Sequence, residues 1–146
     1  MRGFLELTVS DAMTHPATTV DPDLTVGELE DLFERHDYNS FPVVREERLV
    51  GIVTKFDFLR NFVFTPESVV PHYAELMQRR VATIMRRKPT SVSPDTPLPR
   101  VLQLMVDMAI KSFPVVASDG AAGERVVGII SREDVIRALR RAVGRG

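Results

Sequence analysis

The chain of 146 residues contains no cysteine and no tryptophan. Without cysteine, disulfides and thiolate metal sites are excluded, and a reducing compartment is compatible. No charge of one sign dominates, because 19 Lys and Arg stand against 20 Asp and Glu, a formal net charge of -1. A general polyanion-binding character is therefore not expected. No apolar run approaches the length of a membrane span. The opening Met1–Thr8 lacks the charged and apolar regions of a signal peptide, so the cytoplasm is the expected compartment. Catalytic signatures are also missing. There is no Ser-His-Asp arrangement, no metal-ligand spacing and no Gly-x-Gly-x-x-Gly loop, so no catalytic residue, metal or catalytic cofactor is expected.

What is present is an ordinary globular composition, 44% hydrophobic and 27% charged, at a length suited to one domain. Charge is locally uneven. Asp21 to Asp37 is acidic, Arg79 to Lys88 is basic, and Arg137, Arg140, Arg141 and Arg145 lie near the end. Solvated helix faces account for most of this pattern. Nucleic-acid binding through the basic stretches lacks support, since they carry no aromatic residue to stack on bases.

The organising feature is an internal repeat. Ser40-Phe41-Pro42-Val43-Val44 recurs as Ser112-Phe113-Pro114-Val115-Val116, and the same spacing carries Met13 to Met85, Val20 to Val92 and Pro22 to Pro94. It also carries Val26, Leu29, Leu32 and Phe33 onto Leu98, Val101, Leu104 and Met105. Both sets sit at helical spacing on one face. A longer hairpin loop in the second copy then shifts the match, so that Gly51-Ile52 meets Gly128-Ile129, Thr54 meets Ser131 and Asp57 meets Asp134.

Each copy reads as β-α-β-β-α. A short strand is expected at Ala17 to Val20. A helix follows from a Thr25/Glu28 capping box to about Asp37. In the second copy Thr96 is expected to cap, with Pro97 at the first helical position. Strands follow at Phe41 to Val44 and Leu49 to Val53, joined by a turn at Glu46-Glu47. A second helix starts near Thr54. The second copy repeats this order with a longer turn, Ser118 to Gly123. One copy alone would make a poor core. The repeats are assigned to residues 9–62 and 81–142. Residues 63–80 form a linker with an added helix within His72 to Arg80, which would cover a cleft or form a dimer face.

This order, with its Pro-Val-Val strand, Gly-Ile return strand and Thr/Ser-x-x-Asp at the last helix, resembles the cystathionine-beta-synthase-type (CBS) domain family. The resemblance covers roughly Val9 to Arg140. It implies a mixed α/β (α+β) fold, with two β-α-β-β-α repeats packed sheet to sheet about a pseudo-two-fold axis as one Bateman module. It also implies a regulatory module that binds AMP, ADP, ATP or S-adenosylmethionine and acts on an unidentified partner protein, often as a homodimer. A homodimer is expected here too, through apolar positions Val135, Ile136 and Leu139 of the last helix. A structural dimerisation module with empty clefts is the alternative.

By the same resemblance, Asp57 and Asp134 would bind the ribose hydroxyls, and Thr54 and Ser131 a phosphate. Tyr38, Asn39 and Ser40, then Ile110, Lys111 and Ser112, would pass along base and sugar. Ile52 and Ile129 would pack on adenine. Met13, Pro16, Ala17 and Thr18, then Met85, Pro89 and Thr90, would add backbone contacts. Lys55, Arg86, Arg87, Lys88 and Arg132 would supply cations, with Lys111. The physical logic is independent of the family: an ionised carboxylate accepts from two adjacent hydroxyls, and a helix N-terminus suits a phosphate. Thr54-x-x-Asp57 and Ser131-x-x-Asp134 are equally readable as helix caps. Capping boxes prefer Glu or Gln at the last position, however, and the same departure occurs twice.

Overall fold

The computed structural model describes residues 3–63, 73–118 and 123–144. The chain divides into two compact units that cut across the sequence repeats. One comprises Met1–Ala17, Glu47–Leu49 and Thr90–Gly146; the other comprises Thr18–Glu46 and Val50–Pro89. The lead-in to the first repeat therefore belongs with the body of the second, and the lead-in to the second with the body of the first.

In the unit holding the first repeat, helix α2 (Val26–Arg35) starts at the expected capping box. The Thr25 hydroxyl accepts from the Glu28 N–H at 3.1 Å, and Glu28 Oε1 accepts from the Thr25 N–H at 3.1 Å. Strands β1 (Ser40–Arg45) and β2 (Arg48–Thr54) form a hairpin, and α3 (Lys55–Arg60) follows at once. Both turn residues, Glu46 and Glu47, take positive φ, as a two-residue hairpin requires. The core gathers Val20, Leu29, Phe41, Val43, Val53 and Val81. Each such aliphatic or aromatic side chain contributes about 1.5–3 kcal/mol on burial. Aromatic rings extend this core outward, from Phe33 on Phe41 (5.1 Å) through Phe58 to Phe62 and Tyr73. Tyr73 belongs to α4 (Tyr73–Met77), which is the added linker helix. Pro66, Pro71, His72 and the middle of the second hairpin turn lie outside the described residues.

The unit holding the second repeat contains α1 (Val9–Ala12), α5 (Leu98–Met108), β4 (Ser112–Ser118), β5 (Glu124–Ser131) and α6 (Arg132–Val143). Antiparallel β4 and β5 pair from Ser112↔Ser131 to Ser118↔Glu124. Val92, Leu98, Val101, Met105, Phe113, Val115, Ile130 and Val135 form the core, with Val9 of the lead-in inserted among them. The helix face expected from periodicity is thus the buried one in both copies.

Three expectations need correction. The strand at Ala17 to Val20 shrinks to a single parallel bridge, Val20↔Val43. The chain turns away immediately, because Asp21 accepts from the N–H groups of Asp23 and Leu24. In the second copy Pro97, not Thr96, holds the N-cap position, and α5 has no side-chain cap. Proline has no hydroxyl to offer, and the Thr96 hydroxyl accepts from the Ser93 N–H instead. On α6, Val135 is only 2% exposed and Leu139 packs on the core, which leaves Ile136 as the outward apolar residue of the three.

The Thr25/Glu28 box carries a pH signature. The Glu28 carboxyl is held below the usual glutamate range, first by the Thr25 backbone N–H and then by its hydroxyl. A lowered folded-state pKa gives stabilisation that is full above the unfolded-state value and fades as pH falls through the folded one. Thr25→Ala should cost about 1 kcal/mol at neutral pH. The stability difference between the parent and Glu28→Gln should shrink as pH falls below the usual glutamate range. Urea unfolding at a series of pH values checks both; a pH-independent Glu28→Gln difference would show that the carboxylate is idle.

Candidate functional site

Two aspartates are buried, Asp57 at 2% and Asp134 at 4% exposure. A buried carboxylate needs hydrogen bonds or a counter-charge, and both have both. At the start of α3, Asp57 Oδ2 accepts from the Thr54 N–H and hydroxyl, each at 2.9 Å, while the Asp57 N–H donates to Thr54 Oγ1 at 3.1 Å. At the start of α6, Asp134 Oδ2 accepts from the Ser131 N–H at 2.9 Å, and the Asp134 N–H donates to Ser131 Oγ at 3.3 Å. Both aspartates are thus cap residues.

One carboxylate oxygen does the capping; the other meets a cation. Asp57 Oδ1 accepts from Arg86 Nε at 3.1 Å, with Arg60 Nη2 3.6 Å away. Asp134 Oδ1 accepts from Arg137 Nη1 at 3.2 Å and from the Thr14 hydroxyl at 3.2 Å. Arg60 and Arg137 each stand three residues after their aspartate. Thr14 and Arg86 are also equivalent, each following the methionine of its lead-in turn.

The exchange of lead-in segments creates these contacts. Strand β3 (Arg86–Arg87) pairs antiparallel with β2, setting Gly51 opposite Arg87 and Ile52 opposite Arg86. In the other unit Thr14 pairs with Ile129, through two backbone hydrogen bonds of 2.9 Å. Glycine permits the close approach. A Cβ on Gly51 would lie 2.8 Å from the Arg86 carbonyl oxygen and the Met85 sulfur, and one on Gly128 would lie 2.9 Å from the Thr14 carbonyl oxygen.

The other expected residues gather unevenly. The Lys55 N–H donates to the Asn39 carbonyl and the Arg132 N–H to the Lys111 carbonyl, both at 2.9 Å. These bonds fix Asn39-Ser40 and Lys111-Ser112 beside their capping boxes. They also occupy the first N–H of each helix, and the box occupies the third, so the helix start is less open to a phosphate than the sequence suggests. The Thr54 hydroxyl already donates to Asp57. Ser40 and Ser112 are buried, while Ile52 and Ile129 are half-buried. Tyr38 stacks on His36 at 5.2 Å. Met13, Pro16 and Ala17 fall in the unit of Asp134, whereas Thr18, Met85, Arg87, Lys88 and Pro89 fall in that of Asp57; Thr90 and Ile110 lie in the unit of Asp134.

Beside Asp134, a cavity of about 550 Å³ is lined by Leu7, Asp11, Met13, Thr14, Arg137 and Arg141 among others. Its volume suits a small organic ligand. Among the described residues, no cluster of His, Asp and Glu has the makings of a metal site, and no helix is long and apolar enough to cross a membrane. Of the basic run, Arg79 bonds Asn61, Arg80 bonds the Asp23 carbonyl and Arg86 bonds Asp57. Three of its five cations are thus held by intramolecular hydrogen bonds.

A sequence model described as "CBS domain" matches residues 9–63 and 81–141. The chain belongs to the CBS-domain family. Its relatives include the CBS domain-containing protein CBSX3, mitochondrial, of Arabidopsis thaliana, which is 29% identical over 94% of this chain and 66% of that protein. Across the first curated relatives the chain spans between 13% and 66% of their length. Among solved structures, CBSX2 of Arabidopsis thaliana in complex with AMP superposes with a TM-score of 0.76 at 26% identity, over 92% of this chain and 96% of that one. The CBS domain pair of protein MJ0100, in complex with 5′-methylthioadenosine and S-adenosyl-L-methionine, gives 0.72 at 26% identity, over 90% and 94%. The mixed α+β architecture with antiparallel strands is that of CBS-pair proteins.

Sequence reasoning missed Arg60 and Arg137, each three residues beyond its aspartate, and Thr14. The repeat spacing links Thr14 to Arg86, but only the exchanged lead-in reveals what the position touches. The CBS lead-in also explains the two glycines. Gly51→Ala and Gly128→Ala should each destabilise the protein by about 1–3 kcal/mol, because backbone must shift to admit the methyl group. Denaturant midpoints test this; unchanged midpoints would mean that the lead-in pairing is dispensable.

Proposed function

We propose that the chain is a regulatory module that binds adenosine-containing ligands at Asp57 and Asp134, and that it senses rather than catalyses. The observation that carries this reading is a construction made twice. A buried carboxylate uses one oxygen to cap its helix and turns the other toward a half-exposed arginine. A carboxylate has about four acceptor positions. The cap and the arginine fill most of them, and vicinal ribose hydroxyls would take the rest or displace the exposed guanidinium. CBS-pair relatives crystallised with AMP, 5′-methylthioadenosine and S-adenosylmethionine support the ligand class. The reading also has the module work in the cytoplasm and regulate a partner protein.

A homodimer belongs to the same reading. Phe56, Leu59 and Val63 are exposed by 62–67%, and Ile136 and Val143 by 56% and 73%. Light scattering should give about twice 16.4 kDa; a lone monomer at high micromolar concentration would count against it.

AMP, ADP, ATP or S-adenosylmethionine at 100 times its dissociation constant should stabilise the fold by about 2.7 kcal/mol. That should raise the melting temperature by roughly 5–10 °C. Mass spectrometry of ligand released from the purified protein would name the ligand. Asp57→Ala and Asp134→Ala separate cap from ligand. Loss of the cap costs about 0.5–2 kcal/mol of apo stability. Loss of charge-assisted bonds to ribose should weaken calorimetric affinity at that site by roughly tenfold to a hundredfold. Destabilised variants with parental affinity would reduce both aspartates to caps. Flat melting curves with all four compounds would leave a ligand-free structural module.

A further inference from the structure

The two aspartates differ most in charge at the lead-in residue each one faces, and the repeat makes the two sites comparable. Arg60 and Arg137 occupy equivalent positions, as do Lys55 and Arg132, although Arg137 hydrogen-bonds Asp134 Oδ1 at 3.2 Å where Arg60 Nη2 stands 3.6 Å from Asp57 Oδ1. The lead-in residue is different. Asp57 faces the Arg86 guanidinium at 3.1 Å, where Asp134 faces the neutral Thr14 hydroxyl at 3.2 Å. Lys111 stands where the other copy has Asn39, but it contributes its backbone carbonyl to the Arg132 N–H and makes no bond to Asp134.

We propose that positions 86 and 14 determine ligand charge at the two sites: Arg86 makes the Asp57 site selective for adenosine ligands carrying an anionic 5′ group, and Thr14 leaves the Asp134 site open to uncharged ones. This rests on the adenosine reading above. Hydroxyls that approach Asp57 Oδ1 must displace Arg86 Nε, which breaks a charge-assisted hydrogen bond. Arg86 is 56% exposed, so its released guanidinium stays within reach of a ligand. A phosphate gives it a new, equally strong partner, and the exchange is close to balanced. An uncharged adenosine offers no partner, and the broken bond is replaced by water alone. At Asp134 the Arg137 bond to Oδ1, at 3.2 Å, can stay in place, and the group that yields is the Thr14 hydroxyl, whose bonds to the carboxylate, at 3.2 and 3.4 Å, are long. Its displacement costs little whatever the ligand's charge.

Calorimetry with AMP and adenosine tests this, since the two differ only in the phosphate. Asp134→Ala isolates the Asp57 site, and Asp57→Ala isolates the Asp134 site. In the Asp134→Ala chain, AMP should bind about tenfold or more tightly than adenosine, the worth of one charge-assisted bond. Adding Arg86→Thr should bring the ratio close to unity, and Arg86→Lys should retain most of it. In the Asp57→Ala chain the ratio should be small, and Thr14→Arg should raise it. An AMP-to-adenosine ratio unmoved by Arg86→Thr overturns the proposal alone, as does failure of the Asp134→Ala chain to bind AMP while the parent does. Failure of the unaltered chain to bind either compound overturns the adenosine reading and the proposal with it.

Discussion

Two buried carboxylates are the constraint around which the rest is arranged. A lone ionised aspartate in this setting would be far too costly to keep. Each is retained because three independent segments converge on it: the end of a return strand through Thr54 or Ser131, the next helix through Arg60 or Arg137, and a lead-in turn through Arg86 or Thr14. The lead-in reaches its place only because the facing strand carries Gly51 or Gly128. The capping boxes, the paired glycines and the exchange of lead-ins are therefore one device seen from three sides.

That device removes the opposition between cap and ligand residue. A glutamate at the third helical position reaches back easily from an exposed surface, as Glu28 does. Aspartate is shorter by one methylene, so its carboxylate stays close to the helix axis and the strand end. The capping oxygen is then spent locally, and the second oxygen is held facing the lead-in. The repeated preference for Asp over Glu follows from this geometry, because a longer side chain would have to fold away from the lead-in residue to reach the same backbone N–H.

Much of this was legible in the sequence where it depends on local pattern. The repeated Ser-Phe-Pro-Val-Val strands, the amphipathic face of α2 and α5 and the Thr25/Glu28 box all involve residues within a few positions of each other. Their packing follows from periodicity and side-chain chemistry. The failures arise where a local signal had a competitor. Thr96 looked like a cap, yet backbone register gave that position to Pro97 and turned the threonine toward Ser93. Val135, Ile136 and Leu139 looked like an outer face, although of the three only Ile136 points outward. The partnership of lead-in and aspartate was illegible for a different reason. Thr14 and Asp134 are 120 residues apart, and a tandem repeat offers two equally good ways to pair each lead-in with a body.

Duplication also explains where the two halves are free to differ. The return-strand glycine, the hydroxyl cap and the aspartate are the same or chemically alike in both copies, because changing any one exposes a buried charge or forces two backbones apart. The residue after the lead-in methionine is held by its backbone, through the Ile52↔Arg86 and Thr14↔Ile129 pairings. Its side chain needs only to donate a hydrogen bond to a carboxylate. A guanidinium and a hydroxyl both meet that requirement, and they differ by a full charge. The fold thus leaves one position per site at which electrostatics can change without disturbing the packing, and that position touches the buried carboxylate directly.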